Sequence, residues 1–176
     1  MPTVTTSDGV KLHYEEAGSG TPIVFVHEYA GDWRSWEPQM RYFSRAHRCV
    51  TYSQRGYPPS DVPEAAARYG QDIARDDVLA LMDALAIDKA HVVGHSMGAY
   101  TALHVGMHVP ARCLSVTAAG CGWGSTPDAK KREEMKKRGE PGHETPKVRE
   151  ISHLLYKLDG AGFLPGGKSH LWVVDA

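Results

Sequence analysis

Ser96 sits at the centre of Gly94-His95-Ser96-Met97-Gly98, and its surroundings give that serine a chemistry. A serine hydroxyl is a poor nucleophile at neutral pH. On a sharp strand-to-helix turn its oxygen stands clear of the backbone and faces both a base and a substrate carbonyl. Glycines two before and two after are the steric condition, because strand and helix come so close that a Cβ at either would collide. Five residues alone are a weak signal, since Gly and Ser are common. The flanks strengthen it: Ala90-His91-Val92-Val93 reads as a short apolar strand leading in. Ala99, Ala102, Leu103, Val105 and Gly106 continue helically until Pro110. The pattern predicts a nucleophile for acyl transfer rather than a glycine-rich turn with an incidental serine.

The elements that must position this turn follow in order. Val4-Thr5-Thr6 and Val10-Lys11-Leu12-His13-Tyr14 flank Ser7-Asp8-Gly9, whose Asp-Gly pair favours a tight reversal, so a hairpin opens the chain. Pro22-Ile23-Val24-Phe25-Val26 is a continuous apolar run, as in a strand covered on both faces. A helix over 36–46, a strand at Cys49-Val50-Thr51-Tyr52 and a loop through Arg55-Gly56-Tyr57-Pro58-Pro59-Ser60-Asp61 come next. Over 72–86, Ile73, Val78, Leu81, Met82 and Leu85 recur at helical spacing. After the Ser96 turn and its helix, Cys113-Leu114-Ser115-Val116-Thr117-Ala118 reads as another strand. This alternation predicts an α/β fold: a mostly parallel sheet, right-handed crossovers, helices on both faces, and ligands at the carboxyl ends of the strands. Ser96 lies at such an end.

From about residue 4 to 124 the chain resembles the α/β-hydrolase family, and more narrowly its esterase, lactonase and peroxidase-like members. The likeness rests on ordered motifs: Asp8-Gly9, Gly18-Ser19-Gly20-Thr21-Pro22, His27 after the apolar strand, Trp36, Arg55-Gly56 with Ser60, Asp76-Asp77, and the Ser96 turn, which matches the family's nucleophile elbow. The resemblance implies that His27-Glu28-Tyr29-Ala30-Gly31 supplies half of an oxyanion hole. Carried over position by position, its donors are the backbone N–H groups of Tyr29 and Met97, each worth roughly 3 kcal/mol in the transition state. Glu28 departs from the family pattern, which has Gly there. A solvent-facing Glu in a slightly altered turn is the favoured reading over direct positioning of substrate or water. Trp33, Tyr57, Trp123 and Met97 are candidates to line an acyl pocket, and Glu28 is a candidate binding residue with Trp33 and Trp123. His27 matches a structural histidine held by backbone. The ring of His95 diverges from Ser96, so neither is expected to be the base. Arg55 reads as a structural anchor.

In this fold the acid and then the base follow the serine along the chain. Thr126-Pro127-Asp128 opens a helix whose Lys130–Arg138 stretch has almost no apolar face, as at the start of a cap. Beyond it, His143, His153 and His170 are candidate bases and Asp159 and Asp175 candidate acids, none in a recognisable triad context. A triad drawn from His153 or His170 with Asp159 or Asp175 would need a rearranged order, which geometry permits. Leu171-Trp172-Val173-Val174 is strand-like, but the family's late strands and triad loops are missing from the text. The resulting division is a hydrolase core over 1–124, the start of a cap-like helix over 125–138, and an irregular Gly- and Pro-rich tail over 139–176. A chain shortened by truncation or frame change after about residue 138 is the expectation. A sheet ending at 113–118 would need its edge covered by the tail or by a second copy of the chain.

With 176 residues, 41% of them hydrophobic, and a formal charge of −1, the composition allows one domain with a substantial core and exerts no bulk pull toward nucleic acid or membrane. No apolar run is long enough to cross a bilayer, and the first residues carry no leader-like pattern, so a cytoplasmic protein is expected. Cys49, Cys113 and Cys121 lack metal-ligand spacing and read as reduced thiols. The leading reading is a serine hydrolase of small carboxylic esters, lactones or related acyl substrates, needing no metal or organic cofactor. Two others stand beside it: a crippled hydrolase-fold protein that binds a small ligand or a partner chain, and an acyltransfer or peroxide-dependent relative.

Overall fold

Thr6, Asp8 and Gly9 make the first reversal of the chain. The Thr6 hydroxyl donates to the Asp8 carboxylate, the Thr6 N–H donates to the Val10 carbonyl, and Gly9 takes φ +85°, where a side chain would be strained. The strands it joins, β1 (Thr3–Thr5) and β2 (Lys11–Ala17), pair antiparallel with Val4 opposite Leu12, as the sequence predicts.

The computed structural model describes residues 1–121, 137–139 and 171–174. After the hairpin come β3 (Thr21–Val26), α1 (Glu37–Phe43), β4 (His47–Tyr52), α2 (Gln71–Ala84), β5 (Ala90–His95), α3 (Met97–His108), β6 (Cys113–Ala119) and β7 (Leu171–Val174). The helix expected over 36–46 is shorter and preceded by a 3-10 turn, Trp33–Trp36. The cause is local. The Asp32 carboxylate accepts from the Arg34 N–H while the Ser35 hydroxyl accepts from the Asp32 N–H, a capping box that tightens the first turn.

The sheet order is β1-β2-β4-β3-β5-β6-β7. Strands β4, β3, β5 and β6 run parallel, and β1, β2 and β7 pair antiparallel with their neighbours. Alternation along β3 sorts the two faces. Ile23 and Phe25 pack with Trp36, Met40 and Phe43 on the α1 side. Val24 and Val26 pack with Val78, Leu81 and Met82 of α2 and Ala102 and Val105 of α3 on the other. Each large apolar side chain fully buried this way contributes about 1.5–3 kcal/mol.

The tail is not irregular throughout. Its apolar run 171–174 forms β7, pairing antiparallel on β6 with Leu171 opposite Ala119 and Val174 opposite Val116. Two β-branched residues, an aromatic and a leucine suit a strand, and the open edge of β6 supplies unpaired backbone groups for it. That edge, which the sequence leaves to the tail or a second copy to cover, is paired by the tail's own 171–174 strand. Apart from 137–139, the cap-like helix over 125–138 and the rest of the tail lie outside the described residues. No helix among the described residues is long and apolar enough to cross a membrane.

Candidate functional site

The carboxyl ends of β3 and β5 lie side by side, with Val26 opposite Gly94, and the two loops that leave them build the site. From β5 the chain turns directly into α3 through Ser96, at φ +51° and ψ −111°. This is a left-handed conformation for a residue with a Cβ, and the surroundings enforce it. A Cβ on Gly94 would lie 2.1 Å from the Gly98 carbonyl oxygen, and one on Gly98 would lie 2.2 Å from the Val26 oxygen. The collision inferred from sequence is therefore present at both glycines. The Ser96 N–H donates to the Ala119 carbonyl at 2.8 Å, which anchors the turn to β6. Among the described residues, no side chain hydrogen-bonds the Ser96 hydroxyl, which is half-buried.

Met97 is the first residue of α3, so its N–H has no acceptor within the helix. On the β3 side, His27 is fully buried and both its ring nitrogens are committed. Nε2 accepts from the Gln54 N–H at 3.0 Å, so Nδ1 carries the proton and donates to the Glu28 carbonyl at 2.7 Å. Burial pushes this imidazole below the usual histidine range, which keeps it neutral. The Gly31 N–H donates to the same Glu28 carbonyl at 3.2 Å. In a trans peptide the N–H opposes the carbonyl, so the Tyr29 N–H is directed away from the His27 ring. His27 is thus structural.

Glu28 corrects the solvent-facing expectation. Its side chain is half-buried, accepts from the Ser35 hydroxyl at 2.9 Å, and brings a carboxylate oxygen to 3.6 Å from His95 Nδ1. It fills the space above Gly31, where a Cβ would meet its Oε1 at 2.2 Å. Burial pushes the Glu28 carboxyl up, but hydrogen bonds from its own N–H and Ser35, with the nearby His95 ring, outweigh this and hold it below the usual carboxylate range. The His95 ring is therefore engaged with Glu28.

A cleft of about 630 Å³ opens between the β3 loop, the β4 loop and the start of α2, lined by Tyr29, Tyr57, Tyr69, Gln54, Met97 and Thr101 among others. Tyr29 is 74% exposed at its mouth. Tyr57 packs edge-on against His27 and Tyr29, and its hydroxyl lies 3.8 Å from the Met97 sulfur. Trp33 and Glu28 do not line this cleft. The carbonyl of Trp33 accepts from the Thr51 hydroxyl at 3.0 Å, its N–H reaches Ser53 Oγ at 3.5 Å, and its ring packs edge-on against His13. Those backbone ties to β4 and its loop hold it there. Trp123, His143, His153, Asp159, His170 and Asp175 lie outside the residues whose side chains are described.

Tyr69, Gln54 and Thr101 escaped the sequence reading. Thr101 had a legible signal, since it follows Met97 by four on α3 and so shares its face. Its buried hydroxyl has no hydrogen-bond partner among the described residues. At the floor of the cleft, all five Arg55 donors are used: Nε and Nη2 on Asp77, Nη1 and Nη2 on Asp8, and Nη1 also on the Arg68 carbonyl. Arg55 is the anchor expected, with no donor left for a ligand. The three cysteines are free; burial pushes the Cys49 thiol up to about 11 and raises Cys113 and Cys121 as well.

A sequence model of the alpha/beta hydrolase fold family matches residues 21–140. The chain is 38% identical over 118 residues to 3-oxoadipate enol-lactonase 1 of Acinetobacter baylyi, a match covering 66% of this chain and 43% of that protein. It is 38% identical over 95 residues to epoxide hydrolase 1 of Caenorhabditis elegans, covering 53% of this chain and 24% of the relative. Among solved structures, a mutant epoxide hydrolase of Vigna radiata superposes with a TM-score of 0.62 at 31% identity, over 64% of this chain and 36% of that one. The chain spans less than half the length of these relatives. With the family matched across most of its length and the strand-turn-helix around Ser96 in place, the chain belongs to the α/β-hydrolase fold family.

Proposed function

We propose that this chain carries the nucleophile and oxyanion hole of a serine hydrolase acting on small carboxylic esters, lactones or related acyl substrates. The observation that carries the reading is Ser96 held at φ +51° between Gly94 and Gly98, at the start of α3 and next to Met97, which lines an aromatic cleft. In this mechanism Ser96 Oγ attacks the substrate carbonyl as a base removes its proton. The Tyr29 and Met97 N–H groups receive the oxyanion, and the alkoxide leaves with a proton. Water then attacks the Ser96 ester and frees the acid. Within this sequence the candidates for the base are His143, His153 and His170, and those for the acid are Asp159 and Asp175.

Carbonyl chemistry follows from the residue at the turn. A serine oxygen that opened an epoxide would form an ether, which water does not cleave, and turnover would stop. A serine oxygen that attacks an ester or lactone forms an ester, which the same site can hydrolyse. The relative named as an enol-lactonase is therefore a better guide to substrate than those named epoxide hydrolases. Arg55 is neutralised by Asp8 and Asp77, so the cleft offers an acyl group aromatic walls rather than a free cation.

Intact-mass detection of fluorophosphonate labelling on the folded chain tests this, with Ser96→Ala and a heat-denatured sample as controls. One adduct, lost in both controls, is expected. No adduct on a demonstrably folded chain would leave a serine turn without its base and favour the ligand-binding reading.

A further inference from the structure

We propose that Asp72, His104 and His108 form a binding site for a divalent transition-metal ion of the zinc type, joining the first turn of α2 to the C-terminal half of α3. His104 and His108 are four apart on α3 and share a face, with ring centroids 5.2 Å apart. Asp72, in the first turn of α2, brings Oδ1 to 3.9 Å from His104 Nδ1. One ligand atom from each of the three residues lies within 4.8 Å of the others. Ligands about 2.0–2.2 Å from zinc sit roughly 3.3–4 Å apart, so closure needs a side-chain adjustment of about 1 Å.

His104 Nδ1 supplies a separate reason to look here. It is buried and has no hydrogen-bond partner among the described residues, a costly state for an imidazole nitrogen that metal coordination would relieve. Asp72 is also free to turn. Its ion pair with Arg75 at 2.9 Å is duplicated by Asp76, which Arg75 meets through Nε and Nη2 at 2.8 Å each. Asp72 and His108 are exposed, so an ion enters from solvent. Two imidazoles and one carboxylate favour Zn²⁺, Ni²⁺ or Cu²⁺ over Mg²⁺ or Ca²⁺, and three protein ligands leave a fourth position for water. The ion would also stiffen the cleft. Met97 and Thr101 on α3, and Gln71 and Ala74 beside Asp72 on α2, form one wall of it.

The test is calorimetric titration of the untagged chain with Zn²⁺, and titration with Co²⁺ followed by its visible d–d absorption. Wild type, His104→Gln, His108→Ala and Asp72→Asn are compared, with thermal melts to verify folding. One saturable equivalent is expected, weakened about 100-fold in either histidine variant and about tenfold in Asp72→Asn. Mg²⁺ should give no binding heat. Unaltered affinity in His108→Ala, an exposed position whose loss leaves the core intact, would assign the ion to other histidines and overturn the proposal. So would the absence of saturable Zn²⁺ binding by folded wild type.

Discussion

Adding one methyl group to Gly98 tests whether the contact between β3 and α3 holds Ser96 in place. In Gly98→Ala the new Cβ would lie 2.2 Å from the Val26 oxygen and 2.6 Å from the His27 oxygen. Carbon–oxygen contacts rest at about 3.3 Å or more, so the overlap is roughly 1 Å. Both clashing atoms belong to the backbone of β3 and its loop and cannot rotate aside. The start of α3 must retreat by about the overlap, and overpacking of this kind costs about 3 kcal/mol. With a urea slope of about 1–3 kcal/mol per molar, the midpoint should fall by about 1–3 M. The same retreat separates the Met97 N–H from the Tyr29 N–H, so fluorophosphonate labelling should slow by about 100-fold even where the variant is fully folded. Gly70→Ala is the stability control. Nothing lies within 4 Å of its Cβ and its backbone is extended, so a change within about 0.5 kcal/mol is expected. Wild-type stability and labelling in Gly98→Ala would refute the argument that glycine is obligatory there.

Two further predictions concern the ion cluster under the cleft. Arg55→Met should cost about 3–5 kcal/mol in urea unfolding, because it strands the Asp77 carboxylate at 3% exposure; a loss under about 1 kcal/mol would show that the cluster contributes little. Hydrogen bonds from Arg55, and secondarily from Thr6, hold the Asp8 carboxyl well below the usual carboxylate range. That stabilisation is complete above the unfolded value of about 3.9 and is lost as pH falls toward the folded one. Asp8→Asn should therefore lower stability at pH 7 and flatten its decline below about pH 4. Asp8 is partly exposed, so salt should reduce the difference. Parallel acid profiles of variant and wild type would contradict this.

The Ser96 turn was legible because its requirement is steric and local: two glycines, an apolar strand before and a helix after. His27 and Arg55 were legible as structural for a similar reason, since their motifs place them at strand ends where backbone and acidic partners are near. Glu28 was not. Whether a carboxylate faces water or folds back depends on Ser35 and His95, one in a 3-10 turn seven residues on and the other at the end of β5. Trp33 lies away from the cleft, a placement that an aromatic in a loop does not announce, since it carries no sign of which wall it covers. Its position is set by hydrogen bonds to Thr51 and Ser53, across a strand pairing that periodicity does not reveal. The strand at 171–174 was readable as apolar, yet its partner was not, because pairing at a sheet edge is decided by which backbone groups are left open.

Strand order is the other fact that periodicity could not supply, and it locates the site. Alternating strands and helices imply a parallel sheet but leave the sequence of neighbours undetermined. Here the chain leaves β3 through α1 to reach β4 on one side, then returns through α2 to β5 on the other. Connections from β3 and β5 therefore diverge, with α1 on one face and α2 and α3 on the opposite face. That divergence leaves a crevice above their carboxyl ends, where open α/β sheets bind ligands. The two loops at that crevice are the ones carrying Tyr29 and Ser96. Sheet topology thus brings the Tyr29 loop to the serine turn across 67 residues of chain, and the Gly98 contact with Val26 fixes their separation. On the proposed mechanism the oxyanion geometry would be set by the β3–β5 pair, so a substitution that shifts β3 should impair Ser96 as surely as one at the turn itself.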